Sequence, residues 1–515
     1  MDTKALRQKI LDLAIRGKLV PQDPNDEPAE VLLERIREQK QQMLKEGKLK
    51  KKDIKNDTII FKGEDNLHYE KFQDGTVKCI EDEIPFEVPE GWAWCKLNDI
   101  YNFIDYRGAT PTKITNGIPL VTAKNVKSGY IDYTIDDYIS EEEFKERQQR
   151  GISKKGDILF TTEAPLGHAA LADMEKFSAG QRLITFQQYG SKNELINYVM
   201  LMFILSDFFQ QQLYVNKTGS TVAGIKAAIL KTLWIPVPPY NEQLRISNTL
   251  KSAINLIDSI SKNKEILSTS ISNTKSKILD LAIRGKIVPQ DPNDEPASVL
   301  LERIRAEKEE LIKQGKIKRD KKESVIFKGD DNSYYGIHLP DSWNWASLRE
   351  IALSISDGSH NPPPNNGSGI PLLSAANIND NSILMNEISR WITNEEWKIE
   401  NQRTNIEVGD VLLTIVGSIG RSAVVQNNNH FALQRSVAVI KPCLINPLYL
   451  MHIVQSPQIQ KWLTDNSKGT AQKGIYLNAL SLMIIPIPPL AEQARIVELI
   501  HIAYKHLDLI SNALL

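Results

Sequence analysis

Cysteine is scarce in this sequence, and long apolar runs are missing. Three cysteines, Cys79, Cys95 and Cys443, occur in 515 residues, far apart and without a Cys-x-x-Cys pair. This spacing argues against a zinc site and a disulfide framework, and it is typical of the reducing cytoplasm, where we expect the protein to reside. No segment has the roughly 20 consecutive apolar residues of a membrane span. We therefore expect neither a signal peptide nor a membrane partner.

An excess of charge of either sign is also missing. The 63 basic and 64 acidic residues give a net charge of −1, and the composition is ordinary for a soluble globular protein. Bulk charge therefore does not indicate a nucleic-acid partner, and any surface that binds one must be local. A chain of this length exceeds a single core, so two to four domains are expected.

The motifs that usually mark an enzyme are absent too, including the phosphate-binding loop, HExxH and GxSxG. NPPP at residues 361–364 resembles the Asn-Pro-Pro-aromatic motif of amino-group DNA methyltransferases, but Pro364 stands where an aromatic ring must stack a flipped base. VPPY at 237–240 resembles the related Asp-Pro-Pro-Tyr form, yet its counterpart later in the chain is IPPL. These observations favour a recognition protein without catalytic residues, a metal or a cofactor of its own.

What the sequence does have is a long internal repeat. Residues 9–38, KILDLAIRGKLVPQDPNDEPAEVLLERIRE, recur at 277–306 with three changes in thirty positions. Further pairs follow in the same order at 59–69 and 325–335, 88–100 and 339–351, 117–126 and 369–378, 155–167 and 408–420, and 234–246 and 484–496. The offset falls from 268 to 250 residues, so the halves share one plan and differ by loop insertions.

The repeat is circular. After WIPVPPYNEQLRI the chain continues through 241–286 into the second copy of the long phrase, whereas after IIPIPPLAEQARI it runs only to residue 515, and the missing continuation stands at the N-terminus. Apolar residues in 241–285 recur in steps of four and three, the period of a coiled coil. We predict that this helix packs antiparallel against the N- and C-terminal helices placed end to end, around a pseudo-two-fold axis. The alternative is two tandem domains, each with its own helix.

These patterns predict an α/β (α+β) fold with a circular internal repeat, in which two pseudo-symmetric mixed α/β domains are separated by long antiparallel coiled-coil helices. The predicted segments are an N-terminal helix (1–18), a first helical and basic arm (19–80), a first variable domain (81–240), a central helix (241–286), a second arm (287–336), a second variable domain (337–490) and a C-terminal helix (491–515).

With these features the chain resembles the specificity subunits of type I restriction–modification enzymes. The resemblance rests on the doubled AIRGK(L/I)VPQDPNDEP phrase, the EIPFEVPEGWAW stretch at the entry to the first variable domain, and the IP(V/I)PP..EQ.RI motif that leads into each long helix. It covers essentially the whole chain. It implies that each variable domain is a target recognition domain that reads one half of a bipartite, asymmetric site in double-stranded DNA.

The resemblance also implies partners. The helices would act as a spacer and as the docking surface for two modification (methyltransferase) subunits, which bring S-adenosylmethionine. Restriction (translocase) subunits would bring ATP and Mg²⁺ for translocation and cleavage. This chain itself would be non-catalytic and would bind none of these cofactors.

Polar and basic loop residues beside the framework stretches are the predicted DNA contacts. Arg182 and Arg435 are aligned through a shared Gln-Arg dipeptide, and residues 216–226 correspond to residues 467–475. The predicted residues of the first domain are Tyr106, Arg107, Lys113, Lys124, Asn125, Arg182, Lys217, Thr218, Ser220 and Lys226. Those of the second are His360, Asn361, Asn377, Arg421, Arg435, Lys468, Thr470, Gln472 and Lys473. For each of them the alternative is a solvated loop side chain, and for the two arginines also a structural hydrogen-bond donor.

The two arms are basic. Segment 45–62 carries seven lysines against three acidic residues, and 313–328 carries seven basic against two acidic residues. A solvated linker is one interpretation, and contact with DNA phosphates or with a modification subunit is the other. For the whole chain, an active adenine-specific DNA methyltransferase and a purely structural coiled-coil scaffold remain the rival hypotheses.

Overall fold

The computed structural model describes residues 2–55, 57–106, 110–189, 194–219, 223–319, 333–469 and 473–514. The chain divides into two compact units, Met1–Asn263 and Lys264–Leu515. Both combine helices with small sheets, which confirms the predicted mixed α/β class with two repeated domains. Within the described residues, no helix is both long enough and apolar enough to span a membrane.

The first unit contains the N-terminal helix, the first arm and the first variable domain. Its α-helices are Thr3–Ile15, Ala29–Lys45, Lys51–Ile54, Leu97–Ile100, Glu141–Arg147, Asn197–Ile204, Asp207–Val215 and Ala227–Leu230, followed by the long helix Tyr240–Ile283, which continues into the second unit. Its strands are Ile59–Lys62, His68–Lys71, Val77–Cys79, Ala93–Lys96, Tyr101–Asp105, Ile118–Val121, Tyr138–Ile139, Ile158–Thr161, Ala169–Leu171, Ser178–Ala179, Leu183–Gln188 and Trp234–Val237.

The second unit contains the second arm, the second variable domain and the C-terminal helix. Its remaining α-helices are Ala297–Lys313, Leu348–Ile351, Asn394–Thr404, Pro447–Val454, Pro457–Asp465, Leu477–Ser481 and Leu490–Ala513. Its strands are Ser333–Tyr334, Ile337–His338, Asn344–Ser347, Ala352–Asp357, Ile370–Leu373, Ile378–Asn379, Ser382–Ile383, Trp391–Ile392, Val411–Thr414, Ser422–Val424, Ala432–Leu433, Val437–Pro442 and Ile484–Ile487.

Both variable domains are built on the same sheets. Each has a four-stranded antiparallel sheet, with the strand order 101–105, 183–188, 158–161, 169–171 in the first and 352–357, 437–442, 411–414, 422–424 in the second. Each also has a three-stranded sheet with one parallel pair, ordered 178–179, 118–121, 138–139 and 432–433, 370–373, 391–392. The short apolar runs at 158–160 and 411–413 are buried strands of these sheets.

Each variable domain is closed by its own first and last strands. Ala93–Lys96 pairs antiparallel with Trp234–Val237, and Asn344–Ser347 pairs in the same way with Ile484–Ile487. The two sequence motifs that begin and end a variable domain are therefore hydrogen-bonded to each other. This pairing brings the ends of the domain together beside the start of a long helix.

The longer helix of each arm is bounded by a proline and a glycine. Ala29–Lys45 and Ala297–Lys313 each start directly after a proline, and each is followed by a glycine with positive φ, Gly47 (71°) or Gly315 (69°). Proline suits the start of a helix because its missing N–H would have no helical partner, and glycine suits the left-handed residue after the end. The first arm also contains a three-stranded antiparallel sheet at 59–79, which the sequence did not predict.

The N-terminal helix Thr3–Ile15 runs antiparallel to the first part of the long helix. Thr3 Oγ1 lies 2.7 Å from Ser261 Oγ, and Arg7 forms an ion pair with Asp258. As the chain advances from residue 3 to 7, its partners step back from 261 to 258, which defines the antiparallel direction.

The second unit repeats this contact between the later part of the long helix and the C-terminal helix. Lys275 forms an ion pair with Asp508, and its carbonyl oxygen accepts a hydrogen bond from the Tyr504 hydroxyl (3.3 Å). By the repeat offsets, Lys275 is the equivalent of Arg7 and Asp508 the equivalent of Asp258. Each unit therefore pairs its helices through the same two positions.

The long phrase of the repeat forms a joint at the start of each long helix. In the first unit the buried carboxylate of Glu242 accepts hydrogen bonds from Trp92 Nε1 (2.9 Å) and Gln22 Nε2 (3.0 Å), while Asp26 pairs with Arg245. Burial raises the pKa of Glu242, and these donors oppose the rise. The second unit repeats the contacts with Glu492, Trp343, Gln290, Asp294 and Arg495. The phrase is doubled because each joint needs a copy of it.

His452 gives the second unit a pH dependence of known sign. The helix Pro447–Val454 buries this residue, with the Tyr504 ring edge-on (ring centroids 6.0 Å apart), and burial lowers its pKa to about 4. An unfolded histidine titrates near 6.5, so the unfolded chain binds more protons between pH 4 and 6.5. The free energy of unfolding therefore falls as pH falls through that window.

We expect His452→Leu to remove this loss, which amounts to about 2 kcal/mol at pH 5, because pH 5 lies about 1.5 units below the pKa of an unfolded histidine. The urea midpoint of unfolding of the variant, minus that of the wild type, should be larger at pH 5 than at pH 8. His506→Leu, which replaces an exposed histidine on the neighbouring helix, is the control. If the difference in urea midpoint between His452→Leu and the wild type were the same at pH 5 and at pH 8, the prediction would be contradicted.

Candidate nucleic-acid interface

Three loops of the first variable domain meet at one corner. The loop after strand Ile158–Thr161 is joined to the turn before strand Leu183–Gln188 by a hydrogen bond from the Thr162 N–H to the Arg182 carbonyl (2.9 Å). A third loop joins them where the Ile225 N–H donates to the Thr162 carbonyl (3.0 Å). We name this arrangement the loop corner, which comprises residues 162–163, 181–182, 218–219 and 223–226.

The second variable domain has the same corner, comprising residues 415–416, 435–436, 468–469 and 473–476. The Ile415 N–H donates to the Ser436 carbonyl, and the Ile475 N–H donates to the Ile415 carbonyl, both at 2.9 Å. In each domain the third loop also closes on itself through two backbone hydrogen bonds, between residues 218 and 224 and between 468 and 474. The two domains therefore hold these loops with one backbone frame.

Glutamine side chains support both corners from the neighbouring helices. Gln210 Nε2 donates to the Gly167 carbonyl (3.0 Å), and Gln460 Nε2 donates to the Gly420 carbonyl (2.9 Å). Both glycines have positive φ, and a Cβ on either would lie 2.5 Å or less from the glutamine Oε1. Glycine is thus required for the close approach.

The shared frame corrects the alignment of two arginines. The Gln-Arg dipeptide aligns Arg182 with Arg435, but the hydrogen bonds of the frame match Arg182 with Ser436. Strand register agrees, because Leu183 and Val437 begin their strands opposite equivalent residues. The predicted match is therefore wrong by one residue, and Arg435 lies where the first domain has a glutamine.

Equivalent positions of the two corners carry different side chains. These pairs include Glu163 and Val416, Gln181 and Arg435, Arg182 and Ser436, Thr218 and Lys468, and Lys226 and Tyr476. Each pair differs in charge, hydrogen-bonding groups or apolar surface. Base edges in DNA are distinguished by their pattern of donors, acceptors and methyl groups. One frame with two sets of side chains can therefore recognise two different base sequences.

In the first domain the corner lines an open cleft of about 780 Å³ with mixed charge. Asp105 and Glu163 supply carboxylates, and Arg182 and Lys226 supply cations. Arg182 and Glu163 form an ion pair, with 3.1 Å between Nε and Oε1, and both side chains are about half exposed. The cleft therefore presents donors and acceptors together, as a base edge requires, rather than the uniform positive charge that suits phosphates alone.

The structure brings six of the predicted DNA-binding residues to the loop corners: Arg182, Thr218, Lys226, Arg435, Lys468 and Lys473. The other exposed candidates lie nearby or elsewhere on the two domains, namely Lys113, Lys124, Lys217, His360, Asn361 and Arg421. Lys113 is paired with Asp137 (2.6 Å), and Lys217 lies over the Tyr214 ring, 3.6 Å from its centroid. Arg107, Ser220, Thr470 and Gln472 lie outside the described residues.

Three predicted DNA contacts are wrong, because their side chains are buried and hold the domain from inside. The Tyr106 hydroxyl donates to the Gly151 carbonyl. Asn125 Nδ2 donates to the carbonyls of residues 132 and 135, while its Oδ1 accepts from Thr122. Asn377 makes the equivalent contacts in the second domain, to the Glu387 carbonyl and from the Ser374 N–H.

Glu163, Gln181 and Tyr476 are corner residues that sequence reasoning missed. Glu163 is acidic, whereas the predicted contacts are polar and basic loop residues. Gln181 directly precedes the predicted Arg182. Tyr476 is 69% exposed, and it is the last residue of the third loop. Each of these residues is equivalent to a corner residue of the other domain. This equivalence becomes visible only when the two domains are aligned by strand register.

Comparison with known proteins identifies the class. The sequence model of the type I restriction modification DNA specificity domain matches residues 89–268 and 340–514. The chain therefore belongs to this family, which confirms the resemblance seen in the sequence, and its function is to confer DNA sequence specificity in a type I restriction–modification system.

Two curated relatives and one solved structure show how far the similarity extends. The Escherichia coli type I restriction enzyme EcoEI specificity subunit is 27% identical over 99% of this chain and 90% of its own length. The E. coli EcoAI specificity subunit is 30% identical over 73% of this chain and 67% of its own length. A chain from a structural study of assembly of the type I R-M system superposes with a TM-score of 0.54 at 18% identity, covering 84% of this chain and 94% of that one, and supports the fold.

Proposed function

We propose that this chain reads a bipartite, asymmetric site in double-stranded DNA, with one variable domain for each half-site, and that it has no catalytic activity of its own. The observation that carries this proposal is the loop corner. Two domains share one hydrogen-bonded frame, and the frame carries different side chains at equivalent positions, such as Glu163 and Val416. Shared frames explain a shared way of docking on DNA, and different side chains explain different half-sites.

Energetics favour two reading domains over one. Specific DNA binding exceeds non-specific binding by about 4–10 kcal/mol. A good bidentate contact to a base discriminates by about 1–3 kcal/mol. One corner with two or three such contacts is marginal, whereas two corners held in a fixed relation reach the required range.

The helices would set the distance between the half-sites. The long helix has 44 residues, about 65 Å at 1.5 Å per residue. We propose that it forms an antiparallel coiled coil with the N- and C-terminal helices, which would lie end to end around a pseudo-two-fold axis. The antiparallel ion pairs at equivalent positions of each unit support this arrangement. Proteins with two-fold symmetry read half-sites about one DNA turn, near 34–36 Å, apart.

Partner subunits would supply the chemistry in the cytoplasm. We propose that two copies of a modification subunit bring S-adenosylmethionine, that restriction subunits bring ATP and Mg²⁺, and that this chain binds none of these cofactors. The relatives are specificity subunits of restriction enzymes, which supports an assembly of this kind. The near-identical arm phrases would give two identical partners equivalent docking surfaces. Exposed apolar side chains on the helices add support, namely Leu256, Ile266, Leu267, Leu499, Ile502, Leu509 and Ile510.

Exchange of one domain tests the proposal. We expect that replacing residues 81–240 with the matching domain of a relative changes one half of the methylated DNA site and leaves the other half and the spacer intact. The measurement is the methylated sequence in cells that carry the modification subunit. The reciprocal exchange of 337–490 is the matched control and should change only the other half. Changes in both halves, or in neither, would contradict one-domain-per-half-site reading.

A further inference from the structure

The ion pair of Glu163 and Arg182 distinguishes the first loop corner from the second. Arg182 and Glu163 form an ion pair across the cleft, with 3.1 Å between Nε and Oε1. The equivalent positions of the second corner carry Val416 and Ser436, so neither charge is present there. Both head groups are accessible, with 43% of the Glu163 side chain and 54% of the Arg182 side chain exposed.

The backbone holds both residues rigidly. Arg182 has a φ of 66°, in the left-handed region that residues with a side chain rarely adopt. Its carbonyl accepts two hydrogen bonds from Thr162, one from the N–H (2.9 Å) and one from the hydroxyl (3.1 Å). Glu163 is fixed by a backbone bridge to Gly224 of the third loop. An unusual conformation that its surroundings enforce is typical of functional positions.

The chemistry of the pair fits the major-groove edge of a G·C base pair. An arginine fork donates to O6 and N7 of guanine, and a carboxylate accepts from the N4 amino group of cytosine. The contact with Glu163 is made by the Nε of Arg182, which leaves the guanidinium edge formed by the two terminal nitrogens for the guanine. A thymine O4 would meet the carboxylate as a second acceptor, which disfavours an A·T pair with thymine at that place.

The same carboxylate argues against a phosphate contact. A phosphate brought to Arg182 would approach Glu163 as a like charge, whereas a base edge offers a donor to one residue and acceptors to the other. Lysine and threonine side chains elsewhere at the corner, Lys226 and Thr218, remain suited to the phosphates.

We propose that Glu163 and Arg182 together read one G·C base pair in the half-site of the first variable domain. This inference rests on the proposed function, because it requires that the first domain reads a half-site. It assigns the specificity of one base position to two residues, and it assigns no such reading to the second domain.

The test is the double variant E163V/R182S, which installs the side chains of the second corner, studied in the complete complex with its modification subunits. Genome-wide methylation mapping should show that one G·C position of one half-site becomes degenerate. The preference at that position should fall roughly tenfold to hundredfold. The other positions of that half-site, the spacer and the second half-site should keep their bases.

The matched control is K155S/E175V, which removes another exposed ion pair of the same domain (2.7 Å) away from the cleft and should change no position. The single variant E163Q provides a second test that keeps the shape of the side chain. Glutamine can donate as well as accept, so E163Q should also relax the preference at the same position.

Three outcomes would overturn the inference. The first is an unchanged base preference at every position in both E163V/R182S and E163Q. The second is a uniform loss of methylation at all sites without a change in the preferred bases, and the third is a relaxed base preference in the second half-site. The proposed function would still stand after any of these outcomes, provided that the exchange of residues 81–240 changes one half-site. If that exchange also changed nothing, the proposed function itself would fail.

Discussion

Replacement of Gly17 by alanine is expected to lower the free energy of unfolding of the first unit by about 3 kcal/mol, whereas Gly47→Ala should cost about 1 kcal/mol. Both glycines follow a helix and have nearly the same positive φ, 65° and 71°. The backbone penalty for a side chain in the left-handed region is therefore shared. What differs is the space around them.

At Gly17 a Cβ would lie 2.3 Å from Pro89 Cγ and 3.2 Å from Trp92 Cζ2, while at Gly47 nothing lies within 4 Å. Overpacking of this kind typically costs about 1–3 kcal/mol in addition to the backbone penalty. The proline and tryptophan belong to the segment that enters the first variable domain, and Trp92 also donates to Glu242 of the long helix. Gly17→Ala would therefore loosen the joint between the helices and the domain.

Hydrogen exchange of the amides in the helix Thr3–Ile15 and the strand Ala93–Lys96 measures this loss within the full chain. The second unit offers an internal replicate, since a Cβ at Gly285 would lie 2.5 Å from Pro340 Cγ and Gly315 has nothing within 4 Å. Equal losses for Gly17→Ala and Gly47→Ala would show that the contact with Pro89 does not matter.

The sequence could predict the repeat, the variable domains and the helices, because each leaves a local signal. The arm helices begin after Pro28 and Pro296 and end before Gly47 and Gly315, and all four residues have a fixed role at helix ends. The circular order of the motifs indicated that the terminal helices pack on the long helix, and the ion pairs of each unit agree with that direction.

The details of the loop corner could not be predicted, because they depend on strand register. A dipeptide match aligned Arg182 with Arg435, whereas the pairing of the strands aligns Arg182 with Ser436. Asn125 and Asn377 read as polar loop residues, and only the folded turn shows that their amides are used up inside it. The sheet at 59–79 in the first arm leaves little signal in the sequence because its three strands have only three or four residues each.

A chain with two copies of one variable domain should read a symmetric site. If residues 337–490 replace 81–240, both loop corners carry the side chains of the second domain, such as Val416, Arg435 and Tyr476. The proposed pseudo-two-fold axis would place the two copies in opposite orientations on the DNA, so the half-sites would form an inverted repeat. Two tandem domains would produce a direct repeat instead.

The expected effect is large. The original sites should lose methylation, because specific and non-specific binding differ by about 10³–10⁷ and one half of the original contacts would be gone. The reverse chimera, with two copies of 81–240, is the matched control and should read an inverted repeat of the other half-site. The spacer should stay unchanged in both, since the helices are the same.

Genome-wide methylation mapping of cells that carry the modification subunit and the chain with two copies of residues 337–490 tests the central claim most directly. We predict an interrupted palindrome made of one half of the wild-type site and its inverted copy. The claim is that two loop corners on a pseudo-two-fold frame read the two halves of the DNA site. Continued methylation of the wild-type site, or methylation of a direct repeat of that half, would contradict it.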